Sequence, residues 1–394
     1  MRVAYSDEQV ALRDELRAYF ARVLTPELRA ELGPRAGEQM GPAYRRIVRQ
    51  MGEDGWLGLG WPKEYGGQGR SFIEHQLFID ECRRAGMPFP FVTLNTVGPT
   101  LIEYGSEEQK QRFLAGILRG EIHFAIGYTE PGAGTDLASL RTKAVRDGDH
   151  YVINGQKIFT TGAHDSDFIW LAARTDPDAP KHKGLTIFIV DAAADGVKMT
   201  PIETIDYGRT NAVYFEDVRV PADMIVGGEN NGWRLITTQL NHERVALACS
   251  GMAEQLLDEV LAWAADTKDP TGGGRIIDRP WVQMTLARTR ARLEALKLLN
   301  WRLSWELTKG ILNAADASIV KVYGTELFVE AYRSLMEVLG SAGEIRHGSP
   351  GAVLGGRVEI MYRWAYVVTF GGGVNEVQRD IIATAGLGMP RGGR

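Results

Sequence analysis

Three short segments carry residues whose types and spacing fit chemistry. The first is GYTEPGAGTDL (127–137). Pro131, Gly132 and Gly134 demand a tight, exposed backbone path, and the hydroxyls of Thr129 and Thr135 flank it. Such a loop offers N–H groups and small hydroxyls to an acceptor-rich ligand: a flavin ring edge, a phosphate or a thioester. An ordinary β-turn would read the same way, because turn glycines are common. The second is KIFTTG (157–162), where Phe159, Thr160 and Thr161 end a strand before a glycine. An aromatic beside paired threonines suits stacking on a planar ring and hydrogen bonding to its edge, and equally suits a plain strand terminus. The third is LNHERVALA (240–248), a helical stretch with Glu243 and Arg244. Adjacent helical residues do not face one another, so this need not be an ion pair; a solvated pair and a carboxylate base both remain open.

Other chemistries are not supported. None of the seven histidines falls in H-E-x-x-H, and no His/Cys cluster has metal-ligand spacing. There is no G-x-S-x-G elbow and no G-x-x-x-x-G-K-[ST] loop. The G-x-G of PGAGTD sits among β-rich runs rather than opening a helix, which argues against a dinucleotide fingerprint. Lys and Arg total 45 against 50 Asp and Glu, a formal charge of −5, so no basic field attracts nucleic acid or anionic lipid. Two cysteines without C-x-x-C fit a reducing cytosol. The N-terminal stretch lacks signal-peptide character and no apolar run approaches the ~18 residues a membrane span needs. The expectation is a cytoplasmic protein.

The elements that must position these segments fall into three blocks. Residues 1–121 read as helical: Ser6 caps a helix bearing Val10, Leu12, Leu16 and Phe20, and Ser106 caps another with acids in its first turn. Residues 122–226 alternate short β-rich runs with turns, and DGDHYVING reads as a hairpin with Asp-Gly at the turn and Asn-Gly closing the strand. Five or more strands there predict an antiparallel sandwich or barrel. Residues 227–394 return to long helices, with 233–267 one helix or a broken pair. The fold class expected is α+β: an N-terminal helical domain, a central antiparallel β-domain and a C-terminal four-helix bundle. At 394 residues, more than one core is required.

Taken together, the 127–137 loop and the KIFTT strand resemble the acyl-CoA dehydrogenase family, in which a T-E-P-x-A-G-S/T-D loop and a downstream K-x-(aromatic)-x-T strand hold the flavin. The resemblance extends over WPKEYGG (61–67), YGSEEQKQRFLAGILRGE, VRVPADMIVGGENNGW and NEVQRDIIATAGLGMPR. It implies the acyl-CoA dehydrogenase fold, FAD as cofactor, and an acyl-CoA substrate. It implies further that Tyr128 and Thr129 contact the isoalloxazine, that Gly134 and Thr135 lie at the pyrophosphate and the thioester channel, that Phe159 stacks on the ring and that Thr161 bonds its N5/O4 edge. Phe159 replaces the commoner Trp and keeps a stacking face.

Most of the family places its catalytic glutamate in a loop before an E-x-Q-R helix. Aligned on Glu376, Gln378 and Arg379, that position is Gly372, which has no group to take a proton. A second branch of the family carries the base on the first long helix of the C-terminal bundle, and there Glu243 occupies the position, with Arg244 organising the pocket. The resemblance thus implies α,β-dehydrogenation, Glu243 taking the α-proton and flavin N5 the β-hydride. Departures from the family occur where a neighbouring subunit's FAD would be covered: Gln283 is kept, but Glu337, Ser341 and Glu344 replace the usual residues. That pattern resembles the base-bearing subunit of actinobacterial α2β2 dehydrogenases of steroid side-chain degradation. It implies a second dehydrogenase subunit as partner, a bulky acyl group and an electron-transferring flavoprotein as acceptor. A non-catalytic assembly partner and a flavin oxidase or monooxygenase on the same scaffold are the alternatives.

Overall fold

The computed structural model describes residues 4–33, 40–310 and 313–390, and for residues 240–247 the backbone but not the side chains. Helices α1 (Asp7–Val23), α2 (Pro26–Leu32), α3 (Pro42–Glu53), α4 (Phe72–Ala85), α5 (Gly98–Tyr104) and α6 (Glu107–Leu118) come first. Strands follow: β1 (Phe124–Gly127), β2 (Lys143–Asp147), β3 (His150–Lys157), β4 (Phe168–Arg174), β5 (Leu185–Asp191), β6 (Val197–Glu203), β7 (Arg209–Pro221) and β8 (Ile225–Val226). The chain closes with α7 (Gly232–Leu247), α8 (Gly251–Asp266), α9 (Pro280–Thr308), α10 (Ala314–Leu339), α11 (Arg357–Phe370) and α12 (Asn375–Ile381). This is the helix, sheet, helix order expected of an α+β chain.

Contacts group the chain into two compact units. One comprises Met1–Glu38, Arg70–Phe89 and Arg244–Arg394. Its helices start where the sequence signals them: Ser6 and Ser71 each form a capping box, with Gln9 and Glu74, that satisfies orphan N–H groups at the helix start. On α9 the buried residues Val282, Leu286, Thr289, Leu293, Leu296, Asn300 and Leu303 recur every three or four positions, which gives one stripe for the core. The apolar ones among them meet Leu256, Val260, Leu335, Tyr332 and Ala365 in one hydrophobic core. The 233–267 stretch is the broken pair. At the break the carbonyl of Ala248 accepts from Asn300 Nδ2 (2.9 Å), and the Gly251 N–H donates to Asp80 Oδ1 (2.9 Å). A Cβ on Gly251 would stand 2.2 Å from the Asp80 carbonyl oxygen, so only glycine starts α8 there.

The other unit comprises Gln39–Gly69 and Pro90–Glu243, and contains the sheet, in the order β6-β7-β3-β2-β4-β5-β8. Residues Ile169–Ala173 and Leu185–Val190 are all buried, as expected of strands covered on both faces. Two features differ from the sequence reading. Strand β1 pairs with β4 in parallel, Phe124 opposite Phe168, so the sheet is not purely antiparallel. The reason is connection length: the chain runs through the 128–142 loop and the β2–β3 hairpin before β4, and a crossover of that length permits parallel pairing. Asn154-Gly155 does not close the hairpin strand either; it sits inside β3 at a bulge, where the register with β7 shifts between Ile153 and Gly155.

Candidate active site

Strand β1 delivers the chain at Gly127 into the 128–137 loop. Glu130 and Ala133 exchange two backbone hydrogen bonds of 3.1 Å each, closing a tight turn over Pro131 and Gly132. The carbonyl of Thr129 accepts the N–H of Ile158 (2.9 Å), which joins this loop to the chain leaving β3. The first two segments singled out from sequence are therefore neighbours in space. Gly134 and Thr135 are exposed, and a Cβ built on Gly132 or Gly134 meets no atom within 4 Å, so a ligand can approach this backbone closely.

An ion pair hidden beneath the loop holds it in place. Lys157, fully buried, donates to Glu130 Oε1 at 2.8 Å and to the Tyr128 carbonyl at 3.0 Å. Glu130 also accepts the backbone N–H groups of Arg141 (2.6 Å) and Thr142 (2.8 Å). Burial works against the Glu130 carboxylate, but the Lys157 charge and these hydrogen bonds outweigh it and hold its pKa below the ordinary value. Burial pushes the Lys157 ammonium down to about 8 although Glu130 pulls the other way.

The turn after β3 holds an aromatic ring against solvent. The N–H of Thr160 donates to the Asn211 carbonyl and Asn211 Nδ2 donates to the Thr160 carbonyl, both at 3.0 Å. With Thr160 clamped, Phe159 adopts φ 59 and remains 60% exposed. A bulky residue with positive φ, kept exposed by buried neighbours, is the kind of local strain found at ligand sites. Thr161 is exposed beside it, its hydroxyl donating to Thr210 Oγ1 (3.1 Å). A ring face, a hydroxyl and an open glycine backbone on joined segments fit an isoalloxazine and its pyrophosphate. A cleft of about 260 Å³ between Glu130, Gly132, Arg141 and Gln156 is smaller than typical ligand pockets of ~300–1,000 Å³ and includes neither Phe159 nor Thr161.

Tyr128 is buried, and its hydroxyl donates to Gln239 Oε1 on α7 at 2.5 Å. The indole N–H of Trp170, in the middle of β4, lies 3.1 Å from both oxygens. Glu243 follows Gln239 by one helical turn. Glu243 and Arg244 are helical in backbone, but their side chains lie outside the described residues.

Gly372 sits in the turn between α11 and α12 with φ 66. Lys321, fully buried on α10, supports that turn by donating to the carbonyls of Thr369 (2.9 Å) and Gly373 (2.7 Å) and to Asn375 Oδ1 (2.7 Å). A left-handed backbone suits glycine and disfavours a glutamate. Gln283, Glu337, Ser341 and Glu344 are all exposed. Among the described residues there is no group of three or more His, Cys, Asp or Glu that could hold a metal, and no helix long and apolar enough to cross a membrane.

Sequence reasoning missed four residues of this site: Glu130, Lys157, Trp170 and Gln239. Two left a signal. Lys157 shares strand parity with the buried Tyr151 and Ile153, and Gln239 falls on the helical stripe of the buried Leu235 and Ile236. A polar residue on an apolar face has a buried partner to be found.

Family models cover this chain nearly end to end: the acyl-CoA dehydrogenase N-terminal domain matches residues 6–121, the middle domain 125–218 and the C-terminal domain 230–387. The chain belongs to the acyl-CoA dehydrogenase family and is an oxidoreductase. Among its relatives, acyl-CoA dehydrogenase FadE26 of Mycobacterium tuberculosis is 54% identical over 402 residues, covering 100% of both chains. FadE29 of the same organism is 51% identical, covering 99% of each. Of solved structures, a chain of the Tcur3481-Tcur3483 steroid ACAD is 54% identical, with TM-score 0.94 and 100% of both chains covered. A chain of the ChsE4-ChsE5 complex from Mycobacterium tuberculosis is 54% identical, with TM-score 0.93 and the same coverage.

Proposed function

We propose that this chain is the base-bearing subunit of an FAD-dependent dehydrogenase that introduces an α,β double bond into a bulky acyl-CoA, a steroid ring system with a short thioester side chain. The observation that carries this reading is the Thr129–Ile158 hydrogen bond, which sets the open glycine loop beside the exposed Phe159 ring and the Thr161 hydroxyl. On that platform the Tyr128 backbone, the Thr129 hydroxyl, Phe159 and Thr161 would hold the flavin ring, the Tyr128 side chain being turned away to Gln239, while Gly134 and Thr135 would lie toward the pyrophosphate and the thioester. Bound FAD supplies the acceptor for the β-hydride. Glu243 takes the α-proton on its carboxylate and later returns it to solvent, and Arg244 shapes the pocket around it. The left-handed Gly372 supports placing the base on α7, since that turn is built for glycine.

The steroid substrate is supported by 54% identity to a chain of a structure described as a steroid ACAD. A second dehydrogenase chain as partner, in an α2β2 assembly, is supported by the two-component name of that protein and by likeness to the ChsE4-ChsE5 complex. Electron-transferring flavoprotein as acceptor is supported by 29% identity to a subunit named for a caffeyl-CoA reductase-Etf complex.

The test is the visible spectrum of the chain purified alone and co-expressed with a second acyl-CoA dehydrogenase chain, before and after a steroid side-chain CoA thioester is added. The reading predicts a colourless chain alone and a yellow complex that bleaches with the steroid thioester. A yellow, bleaching chain alone would remove the partner from the proposal. Bleaching only by straight-chain thioesters would remove the steroid.

A further inference from the structure

Tyr128 is fixed at both ends. Its carbonyl accepts from the buried Lys157, which belongs to the scaffold of the 128–137 loop, while its hydroxyl reaches Gln239 on α7. Trp170 determines which way the Gln239 amide points. An indole N–H can only donate, so it requires the amide oxygen, not the NH2, to face it, and the Tyr128 hydroxyl donates to that same oxygen. Gln239 is fully buried, and its Nε2 has no hydrogen-bond partner among the described residues. The amide oxygen thus accepts from both the phenol and the indole. Next to it, Thr238 reaches Tyr104 only at 3.4 Å, a weaker tie.

We propose that Tyr128, Trp170 and Gln239 form a clasp that sets the depth and rotation of α7 on the sheet, making Tyr128 and Gln239 positioning residues for the base one turn further along. This deepens the proposed function and rests on its assignment of Glu243. Both anchors stand on rigid ground, one just past β1 and one within β4, and Glu243 follows Gln239 by four residues, about 6 Å of helix rise. The same residue that begins the flavin-facing loop thus ties that loop to the helix bearing the base. A shift of about 1 Å between proton acceptor and substrate costs on the order of 100-fold in rate, so a clasp of this kind has a catalytic consequence without touching substrate.

The test uses Tyr128→Phe and Gln239→Met in the FAD-loaded protein, in complex with its partner chain if it purifies with one. Two readouts are taken: backbone hydrogen exchange across 239–247, and the rate of flavin bleaching by acyl-CoA resolved into kcat and KM. Tyr128→Phe should speed exchange in that helix about fivefold, the factor for one typical hydrogen bond. Bleaching should slow ~10- to 100-fold through kcat, with KM and flavin content held. Gln239→Met should do the same or more; if it fails to fold, Tyr128→Phe alone decides. Unchanged exchange and unchanged kcat in Tyr128→Phe overturn the proposal, and so does a change confined to KM or flavin content, which would mean the group lines the ligand site instead. Glu243→Gln serves as the separate control. If it still bleaches, the base assignment fails, whereas the exchange result continues to report on the clasp.

Discussion

Replacing Lys157 with Met should destabilise the unit that carries the sheet far more than a typical surface change. The ammonium is fully buried and makes two hydrogen bonds, at 2.8 Å to Glu130 and 3.0 Å to the Tyr128 carbonyl. Without it, Glu130 keeps its hydrogen bonds from Arg141 and Thr142 and becomes a buried carboxylate that has lost its ion-pair partner. Breaking one side of a buried pair costs about 3–5 kcal/mol, which for a unit of this size lowers Tm by about 6–20 °C. The double variant Lys157→Met/Glu130→Gln removes the stranded charge and should recover part of that loss. The penalty depends on pH. Glu130 has a folded pKa below its usual 4.5, so its stabilisation is present above that value and is lost as pH falls through the folded one. Lys157 has a folded pKa of about 8 against 10.5, so between those values the unfolded chain holds the proton that the folded one has given up, and wild-type stability rises with pH there. Wild type and variant should therefore converge as pH falls below about 4.5, differ clearly at pH 6–7, and draw further apart as pH rises above 8. Thermal unfolding followed by circular dichroism over that range is the assay. A Tm for Lys157→Met within about 2 °C of wild type at pH 6–7, or a double variant no better than the single, would refute the reasoning.

Other outcomes follow from the same structure. Asp80 is buried beside Glu254; burial first, and then that charge, pushes its carboxyl up to about 7 against the pull of the Gly251 N–H. Its folded pKa is raised above 3.8, so its contribution is full below about pH 4 and lost as pH climbs to 7; Asp80→Asn should gain on wild type between about pH 4 and 7 and hold that gain above, and parallel Tm-versus-pH curves would contradict this. Lys321→Met strips the donor from the turn holding Gly372 and should cost about 3 kcal/mol in denaturant unfolding, with an unchanged midpoint as the opposing result. Phe159→Gly removes a strained φ of 59, worth about 1 kcal/mol, so the flavin-free protein should unfold no earlier while flavin retained through gel filtration falls. Full retention would end the stacking role assigned to that ring.

Much of the fold was legible in sequence because local patterns encode it. Ser6 and Ser106 cap the helices they were expected to cap, each closing a box with the glutamine three residues on. The return to long helices after residue 227 and the change to β-rich runs near Ile122 followed from periodicity. What was hidden is partnership across distance. Nothing local distinguishes β1 as parallel to β4, because direction depends on the intervening path. Asn154-Gly155 carries a turn signature yet continues β3 opposite a bulge in β7, because the β7 partner, which sequence does not display, carries the ladder past it. Phe159, Thr161 and the 128–137 loop were found as separate segments, and the Thr129–Ile158 bond that unites them needed coordinates. Glu130 with Lys157, and Tyr128 with Gln239, are pairs 27 and 111 residues apart. Lys157 and Gln239 show in sequence only as polar residues on apolar faces, and nothing there says which residue each one meets.

The central claim is that Glu243 takes the α-proton, and Glu243→Gln tests it most directly. The variant, prepared in whatever assembly gives a yellow wild-type protein, is mixed with a steroid side-chain CoA thioester in a stopped-flow spectrometer, and flavin bleaching is followed. The account predicts a flavin spectrum like that of wild type and bleaching slowed by 10² or more, the lower range for loss of a general base. Bleaching at the wild-type rate would contradict it and place the base on another residue.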